Sequence, residues 1–208
     1  MNRRSTAQAS FDWRKSGLTA GVDEAGRGPL AGPVVAAAVI LDAGRPVVGI
    51  ADSKVLSPAR RAELAGEIRA KCVAYGLGWA DAAEIDSINI LQATMLAMRR
   101  ALVALHCLPA HVIVDGDRCP DLGGLRLDCS IEAVVQGDAT VLCVGAASIL
   151  AKVARDDFMR ELDDRYPGYG LAGHKGYPTA AHIAALRRLG PSPVHRRSFG
   201  PVQSCLPR

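Results

Sequence analysis

The segment AGVDEAGRGPLAGPVV, residues 20–35, places two adjacent acids, Asp23 and Glu24, between two apolar runs. The first run, residues 18–24, is predicted to form a short buried strand, and the second, residues 34–41, is predicted to form another. The Gly- and Pro-rich link between them suits a tight reversal of the chain. These two strands begin a sheet, and two negative charges lie where the first one is expected to end.

The rest of the chain continues this start as an alternation of strands and helices. Strands are predicted over residues 72–80, 110–117 and 130–135, and helices over Pro58–Lys71, over the segment from Asp86 to Pro109, over the segment that carries Ala146 and Leu162, and over residues 179–189. The helix after Asp86 is indicated by apolar residues at three- and four-residue steps. This order predicts an α/β sheet covered by helices, with a helical C-terminal portion.

Composition sets the class of protein. The chain has 208 residues, 49% of them hydrophobic, which is enough for one domain with a real core. It has no apolar run long enough for a membrane span, and its six cysteines form no zinc-type grouping. Residues 1–16 are basic without a signal-peptide core. We therefore expect a cytoplasmic protein with a flexible leader over 1–16 and one domain over 17–208, whose helical extension starts at about 165.

The charge is unevenly distributed along the chain. The formal net charge is only +4, but no Asp or Glu follows Asp164, whereas seven Lys and Arg residues do. A long basic segment without acids favours a polyanionic partner, above all nucleic acid. A solvated basic face is the alternative interpretation.

Acids recur where the predicted strands end. Asp23 and Glu24 follow the first strand, Asp115 follows a second, and Asp138 follows a third. Ligands of helix-covered sheets tend to bind beyond the carboxyl ends of strands, so these acids are placed to meet. Clustered carboxylates repel one another unless they are protonated or bind a hard cation such as Mg²⁺ or Mn²⁺. A single acid at a strand end is more often a turn former or a helix cap, and spacing alone leaves that reading open.

Adjacent residues of a strand point to opposite faces of the sheet. Asp23 and Glu24 therefore cannot both face one site from a regular strand. Because Ala25 and Gly26 follow at once, we expect the strand to have ended by Glu24. The alternative is that one acid acts indirectly.

Several sequence blocks resemble one family. GVDEAGRGPLAGPVVAAAV is similar to the opening motif of ribonuclease HII, the type 2 ribonuclease H. Further blocks occur in the family's order: DSKVLSPARR (52–61), NILQATMLAMRRAL (89–102), VDGD, QGDA, AASILAKVARD (146–156), HKGYPT (174–179) and HRRSF (195–199). The resemblance spans residues 21–202.

The resemblance implies a ribonuclease H-like fold, a five-stranded mixed sheet flanked by helices with a helical C-terminal extension. It implies an endonuclease that uses Mn²⁺ or Mg²⁺ to hydrolyse the RNA strand of RNA/DNA hybrids. It also implies incision 5′ of single ribonucleotides in duplex DNA, which leaves 3′-hydroxyl and 5′-phosphate ends and serves ribonucleotide removal in repair. The family's metal-binding, catalytic acids correspond to Asp23, Glu24, Asp115 and Asp138, with two ions expected during catalysis.

The resemblance also assigns substrate contacts. A ribose-sensing turn corresponds to Gly26, Arg27 and Gly28, with Tyr177 as its aromatic partner. A 2′-hydroxyl is what distinguishes RNA from DNA, and glycines let the backbone approach it. Candidate phosphate contacts are Ser53, Lys54, Ser148, Lys152, His174 and Lys175, and Arg196 and Arg197 are candidates for the distal duplex.

Two other functions remain open at this level. One is a DNA-only nuclease of the same fold, and the other is a non-catalytic hybrid-binding module. We expect a monomer, and the C-terminal QSCLPR does not supply the glutamine–aliphatic–double-aromatic peptide that some relatives use to reach a sliding clamp.

Overall fold

The computed structural model describes residues 17–50, 53, 56–125 and 129–206. Its centre is a five-stranded mixed sheet in the order β3-β2-β1-β4-β5. The strands are β1 Thr19–Ala25, β2 Val34–Ile40, β3 Ala74–Ala80, β4 His111–Asp115 and β5 Ser130–Val134. β1 is antiparallel to β2 and parallel to β4, so the sheet has an antiparallel half and a parallel half. The predicted fold class is confirmed.

Seven helices occur in the described residues. They are α1 Pro58–Lys71, α2 Ala82–Val103, α3 Gly137–Thr140, α4 Leu142–Arg165, α5 Leu171–His174, α6 Ala180–Leu189 and α7 Gly200–Gln203. The start of α1 is as predicted, since Ser57 accepts a hydrogen bond from the Arg60 N–H and Pro58 opens the first turn. α2 begins earlier than predicted because Asp81 and Glu84 form a capping box. At Asn89 it is interrupted by a left-handed φ of 67°.

Two apolar layers cover the two faces of the sheet. On one face, Ala20 and Val22 of β1 pack with Ala97 and Met98 of α2. On the other face, Ala37 and Val39 of β2 pack with α1 and α4. The alternation along each strand therefore sends odd- and even-numbered residues of β1 to different helices.

α4 lies unusually close to β1, and Gly21 explains why. A Cβ built on Gly21 would lie 2.2 Å from the carbonyl carbon of Cys143, so any side chain there would push the helix away. The close approach brings the first turns of α4 next to the end of β1. No helix among the described residues has both the length and the apolar character needed to cross a bilayer.

Candidate active site

Three of the predicted acids lie together at the carboxyl end of the parallel strands. In the pairing of β1 with β4, Val22 is opposite Val114, which makes Asp23 and Asp115 neighbours on the same face. Asp138 joins them from α3. One carboxylate oxygen from each of Asp23, Asp115 and Asp138 lies within 4.8 Å of the others. An all-oxygen donor set of this size fits a hard divalent cation.

Glu24 occupies a different position from these acids. β1 continues through Ala25, and Glu24 is paired with Ala36 of β2, so the expectation that the strand has ended by Glu24 is wrong. Because the ladder with β2 keeps the backbone extended, the Glu24 side chain leaves β1 on the opposite face from Asp23, although its carboxylate stays close enough for the two acids to interact. It lines a cavity of about 270 Å³ together with Asp115 and the α2 residues Leu91, Met95 and Met98.

The acids perturb one another. Burial, followed by the charges of Glu24 and Asp115, raises the pKa of Asp23 well above its usual value. Burial also raises the pKa of Glu24, although Arg27, whose Nη1 donates to Glu24 Oε1 at 3.3 Å, opposes the shift. Without a cation, burial and mutual repulsion of the carboxylates therefore favour a bound proton in the cluster. A bound cation would offset this repulsion.

Hydrogen bonds hold the three grouped acids in place. The Asp138 N–H donates to Asp115 Oδ1 at 3.3 Å, and the Glu24 N–H donates to Asp23 Oδ1 at 2.7 Å. The Ser148 hydroxyl of α4 favours the charged form of Asp23 and so opposes the rise of its pKa.

Ser53 and Ser148, two candidate phosphate contacts, are paired with each other. Their hydroxyl oxygens are 2.8 Å apart, and each residue is only 4% exposed. Ser148 therefore has Ser53 as its hydrogen-bond partner, and its hydroxyl also lowers the pKa of Asp23. A direct phosphate contact by either serine stays a prediction. Lys54 lies outside the described residues.

The 26–28 turn and Tyr177 face each other. A Cβ built on Gly28 would lie 3.6 Å from Tyr177 Cε1, an ordinary van der Waals contact. Tyr177 is 45% exposed, and Gly28 and Arg27 are exposed as well. Gly26 is different, because it is buried with a φ of +97°, and a Cβ there would lie 1.9 Å from Arg155 Nε.

The other candidate contacts are already engaged in the protein. Lys152 Nζ donates to Asp156 at 2.6 Å, one helical turn away. Lys175 Nζ donates to the Ala172 carbonyl. His174 uses both ring nitrogens, with Nε2 donating to the Tyr169 carbonyl at 2.9 Å and Nδ1 accepting from the Gly176 N–H at 3.1 Å. Phosphate binding by these residues stays a prediction.

A chain of buried hydrogen bonds anchors the segment that carries Tyr177. His182 Nδ1 lies 3.0 Å from the Tyr177 carbonyl, and His182 Nε2 lies 3.1 Å from His195 Nε2. His195 Nδ1 in turn accepts from the Ser192 N–H at 3.0 Å. These bonds are all satisfied when both rings are neutral, with His182 protonated on Nδ1 and His195 on Nε2.

The prediction that Arg196 contacts the distal duplex is wrong. Its side chain is fully buried, and its guanidinium donates to carbonyl groups inside the protein. Arg197 is exposed, and its N–H donates to Asp86 Oδ2 at 2.8 Å. Sequence reasoning also missed Arg155, which is 1% exposed. The sequence signal that could have found it is its spacing, because Arg155 lies four residues after Ala151 and four before Met159, on the buried face of α4.

Comparison with known proteins agrees with this geometry. The family model of ribonuclease HII matches residues 20–202. The chain belongs to the ribonuclease HII family. Ribonuclease HII of Laribacter hongkongensis is 62% identical over 186 residues, which cover 89% of this chain and 92% of that protein. Ribonuclease HII of Verminephrobacter eiseniae is 57% identical over 202 residues, covering 97% and 94%.

The fold of this ribonuclease HII family member also matches solved structures. The ribonuclease H2 from Pyrococcus horikoshii OT3 superimposes with a TM-score of 0.75 at 29% identity, covering 90% of this chain and 96% of that one. As a ribonuclease HII, the chain is a divalent-metal-dependent endonuclease of the ribonuclease H type, acting on RNA/DNA hybrids. The predicted family and enzyme class are therefore confirmed.

Proposed function

We propose that this ribonuclease HII also incises duplex DNA on the 5′ side of a single embedded ribonucleotide and thereby serves ribonucleotide removal in DNA repair. The observation that carries the proposal is the spacing along β1. Asp23, which belongs to the acid cluster, is only three residues from the turn that faces Tyr177. One nucleotide can therefore present its phosphate to the acids and its ribose to the turn.

Asp23, Asp115 and Asp138 are the proposed holders of the metal, with Glu24 completing the shell from the other face of the sheet. Two divalent cations bound there, Mg²⁺ or Mn²⁺, would stabilise the attacking and leaving oxygens of an in-line phosphodiester hydrolysis. The protein's own contribution is to hold the carboxylates before the substrate arrives. Ser148 orients Asp23 and the Asp138 N–H orients Asp115.

The proposed ribose site is the cleft between the 26–28 turn and the exposed ring of Tyr177. Among the described residues, no group accepts a hydrogen bond from the N–H of Arg27 or Gly28. These donors are free to meet a 2′-hydroxyl, which both donates and accepts. The ring of Tyr177 offers an apolar surface for the adjoining sugar.

A paired cleavage assay tests this function. A duplex with one ribonucleotide and an identical all-DNA duplex are incubated with the protein in Mg²⁺, in Mn²⁺ and in EDTA. We expect metal-dependent cutting of the first duplex alone, on the 5′ side of the ribonucleotide. Equal cutting of both would identify a DNA nuclease of the same fold, and binding without cutting would identify a hybrid-binding module.

The proposed acids are tested by Asp115→Asn. The substitution keeps the size of the side chain and removes its charge, so cleavage is expected to be lost while binding to the duplex in calcium is retained. Asp121→Asn is the matched control, because Asp121 is an acid of an exposed loop whose Oδ1 accepts from the Gly123 N–H. Persistent cleavage by Asp115→Asn would show that the metal acids are wrongly assigned.

We further propose that residues 17–208 act as one catalytic unit and that residues 1–16 are dispensable for cleavage. A chain that starts at Gly17 is then expected to cut the single-ribonucleotide duplex with the kcat/KM of the full chain.

A further inference from the structure

Two buried arginines lie directly beneath the 26–28 turn. Arg196 and Arg155 are 0% and 1% exposed, although Arg is almost never fully buried without a partner. No carboxylate among residues 17–50, 53, 56–125 and 129–206 forms an ion pair with either guanidinium. Burying two cations that have no carboxylate partner costs free energy, so other groups must stabilise them.

Each guanidinium spends its donors on backbone carbonyls. Arg196 donates to the carbonyls of Gly26 at 2.6 Å, Arg27 at 2.8 Å and Gly32 at 3.0 Å. These three bonds fix the first two residues of the turn and Gly32 in the loop that follows it. All three carbonyls are thereby satisfied, so burial of the loop backbone leaves none of them unpaired.

Arg155 continues the arrangement toward Tyr177. Its guanidinium donates to Ala31 at 3.1 Å, to Pro33 at 3.0 Å and to the Lys175 carbonyl at 3.1 Å. The backbone adds a parallel link, since the Leu30 N–H donates to the Gly176 carbonyl at 2.7 Å. Arg155 therefore ties the loop that follows the turn to the segment that carries Tyr177.

We propose that Arg196, supported by Arg155, is a positioning residue for ribose discrimination, because it binds the carbonyls of the 26–28 turn and leaves the turn's N–H groups free for the substrate. This inference rests on the proposed function, which places the ribose at that turn. Arg196 does not touch the substrate. It sets the distance and direction of groups that do.

Only arginine fits this role. A planar guanidinium presents five donors in a fixed fork, so one side chain can reach three carbonyls that point at it from different residues. A lysine ammonium is a single point of charge and could satisfy fewer of them in the same space. Burial and the neighbouring Arg155 lower the pKa of Arg196 to about 9, which still leaves it charged at neutral pH.

The test compares Arg196→Lys and Arg196→Met with wild type and with a control, Arg100→Lys. Arg100 also donates to a carbonyl, that of Trp79, but it joins α2 to β3 and pairs with Glu84. Three quantities are measured for each protein: kcat for the single-ribonucleotide duplex, Kd for the all-DNA duplex in calcium, and hydrogen exchange along the chain.

We expect kcat of both Arg196 variants to fall about tenfold or more, the size expected for losing charged hydrogen bonds, while Kd for the all-DNA duplex changes less than about twofold. Hydrogen exchange should rise in residues 26–33 and stay unchanged in α2. Arg100→Lys should match wild type in kcat.

Three results would overturn the proposal: wild-type kcat in Arg196→Lys, an equal loss of affinity for the all-DNA duplex, or faster exchange throughout the chain, which would make Arg196 a folding residue. Failure of the proposed function has a different signature. In that case wild type itself would show no preference for the ribonucleotide-containing duplex, whatever exchange in residues 26–33 does.

Discussion

The two glycines of the 26–28 turn are expected to respond in opposite ways to the same change, Gly→Ala. Gly26 has a φ of +97°, and a Cβ built on it would lie 1.9 Å from Arg155 Nε. Gly28 has an ordinary backbone conformation, and its virtual Cβ is 3.6 Å from Tyr177. Gly26→Ala should therefore damage the fold, whereas Gly28→Ala should damage only the cleft.

The stability difference can be estimated from these distances. Strain from the left-handed backbone costs roughly 1–3 kcal/mol, and forcing a methyl group into Arg155 costs roughly 1–3 kcal/mol more. A total of about 2–6 kcal/mol lowers Tm by at least about 4 °C in a protein of this size. Gly28→Ala creates only ordinary contact on the surface, so its free energy of unfolding should change by less than about 0.5 kcal/mol.

Gly28→Ala is expected to impair cleavage even though it leaves the stability of the protein nearly unchanged. A methyl group in the cleft takes space that the proposed ribose site needs, and overpacking of roughly 1–3 kcal/mol corresponds to a loss of roughly five- to 150-fold in kcat/KM. The assay is thermal unfolding together with cleavage of the single-ribonucleotide duplex, and Tyr177→Ala, which removes the ring from the cleft, is the second variant. Gly28→Ala that cuts like wild type would refute the cleft as the ribose site.

Three further perturbations test other parts of the site. Ser148→Ala removes a hydroxyl that favours the charged form of Asp23, so half-maximal cleavage should need about five- to 30-fold more Mg²⁺. Ser204→Ala is the control, and an unchanged requirement would contradict the role of Ser148. Mg²⁺ binding should release protons, because the pKa of Asp23 is raised in the free protein. Calorimetry in buffers of different ionisation enthalpy should detect this release in wild type and not in Asp23→Asn. Burial and His182 lower the pKa of His195 from 6.5 to about 4, so the unfolded chain binds more protons between these values and the free energy of unfolding should fall by about 2 kcal/mol from pH 7.5 to pH 5. Urea unfolding of His195→Gln should lack this fall, and an identical fall in that variant would assign it to other groups.

The sequence predicted the structure well where a local pattern determines where a strand or a helix begins or ends. Asp23 and Asp115 follow apolar runs of adjacent parallel strands, and parallel pairing brings the ends of such strands together. The approximate bounds of α1 and α6 followed from Ser57 and Thr179, whose side chains cap the first turn through local hydrogen bonds. Local rules suffice in these places because the partners are close in sequence.

Long-range pairing decided what the sequence left open. Ala25 and Gly26 look like the start of a loop, but the ladder to β2 extends β1 through Ala25 and turns Glu24 toward α2. Arg196 belongs to a run of basic residues that composition assigns to the surface, yet its partners lie about 165 to 170 residues away in sequence. Burial of a cation depends on carbonyls that only the folded loop assembles, and no local pattern encodes it.

The same long-range pairing determines how cleavage and ribose recognition could be linked. β1 is paired on both sides at Val22, with β2 and with β4, so the strand that carries Asp23 is held firmly where the acids meet. Directly after Ala25, the carbonyls of Gly26 and Arg27 each accept a hydrogen bond from the Arg196 guanidinium. Asp23 and the turn thus belong to one short segment whose backbone is hydrogen-bonded at both ends. If the proposed function is correct, selectivity for a ribonucleotide follows from the relative positions of the turn and the acids. A nucleotide that does not fit the turn cannot bring its phosphate to the acids. Loosening Arg196 should therefore reduce the rate of cutting even though every proposed metal ligand is intact.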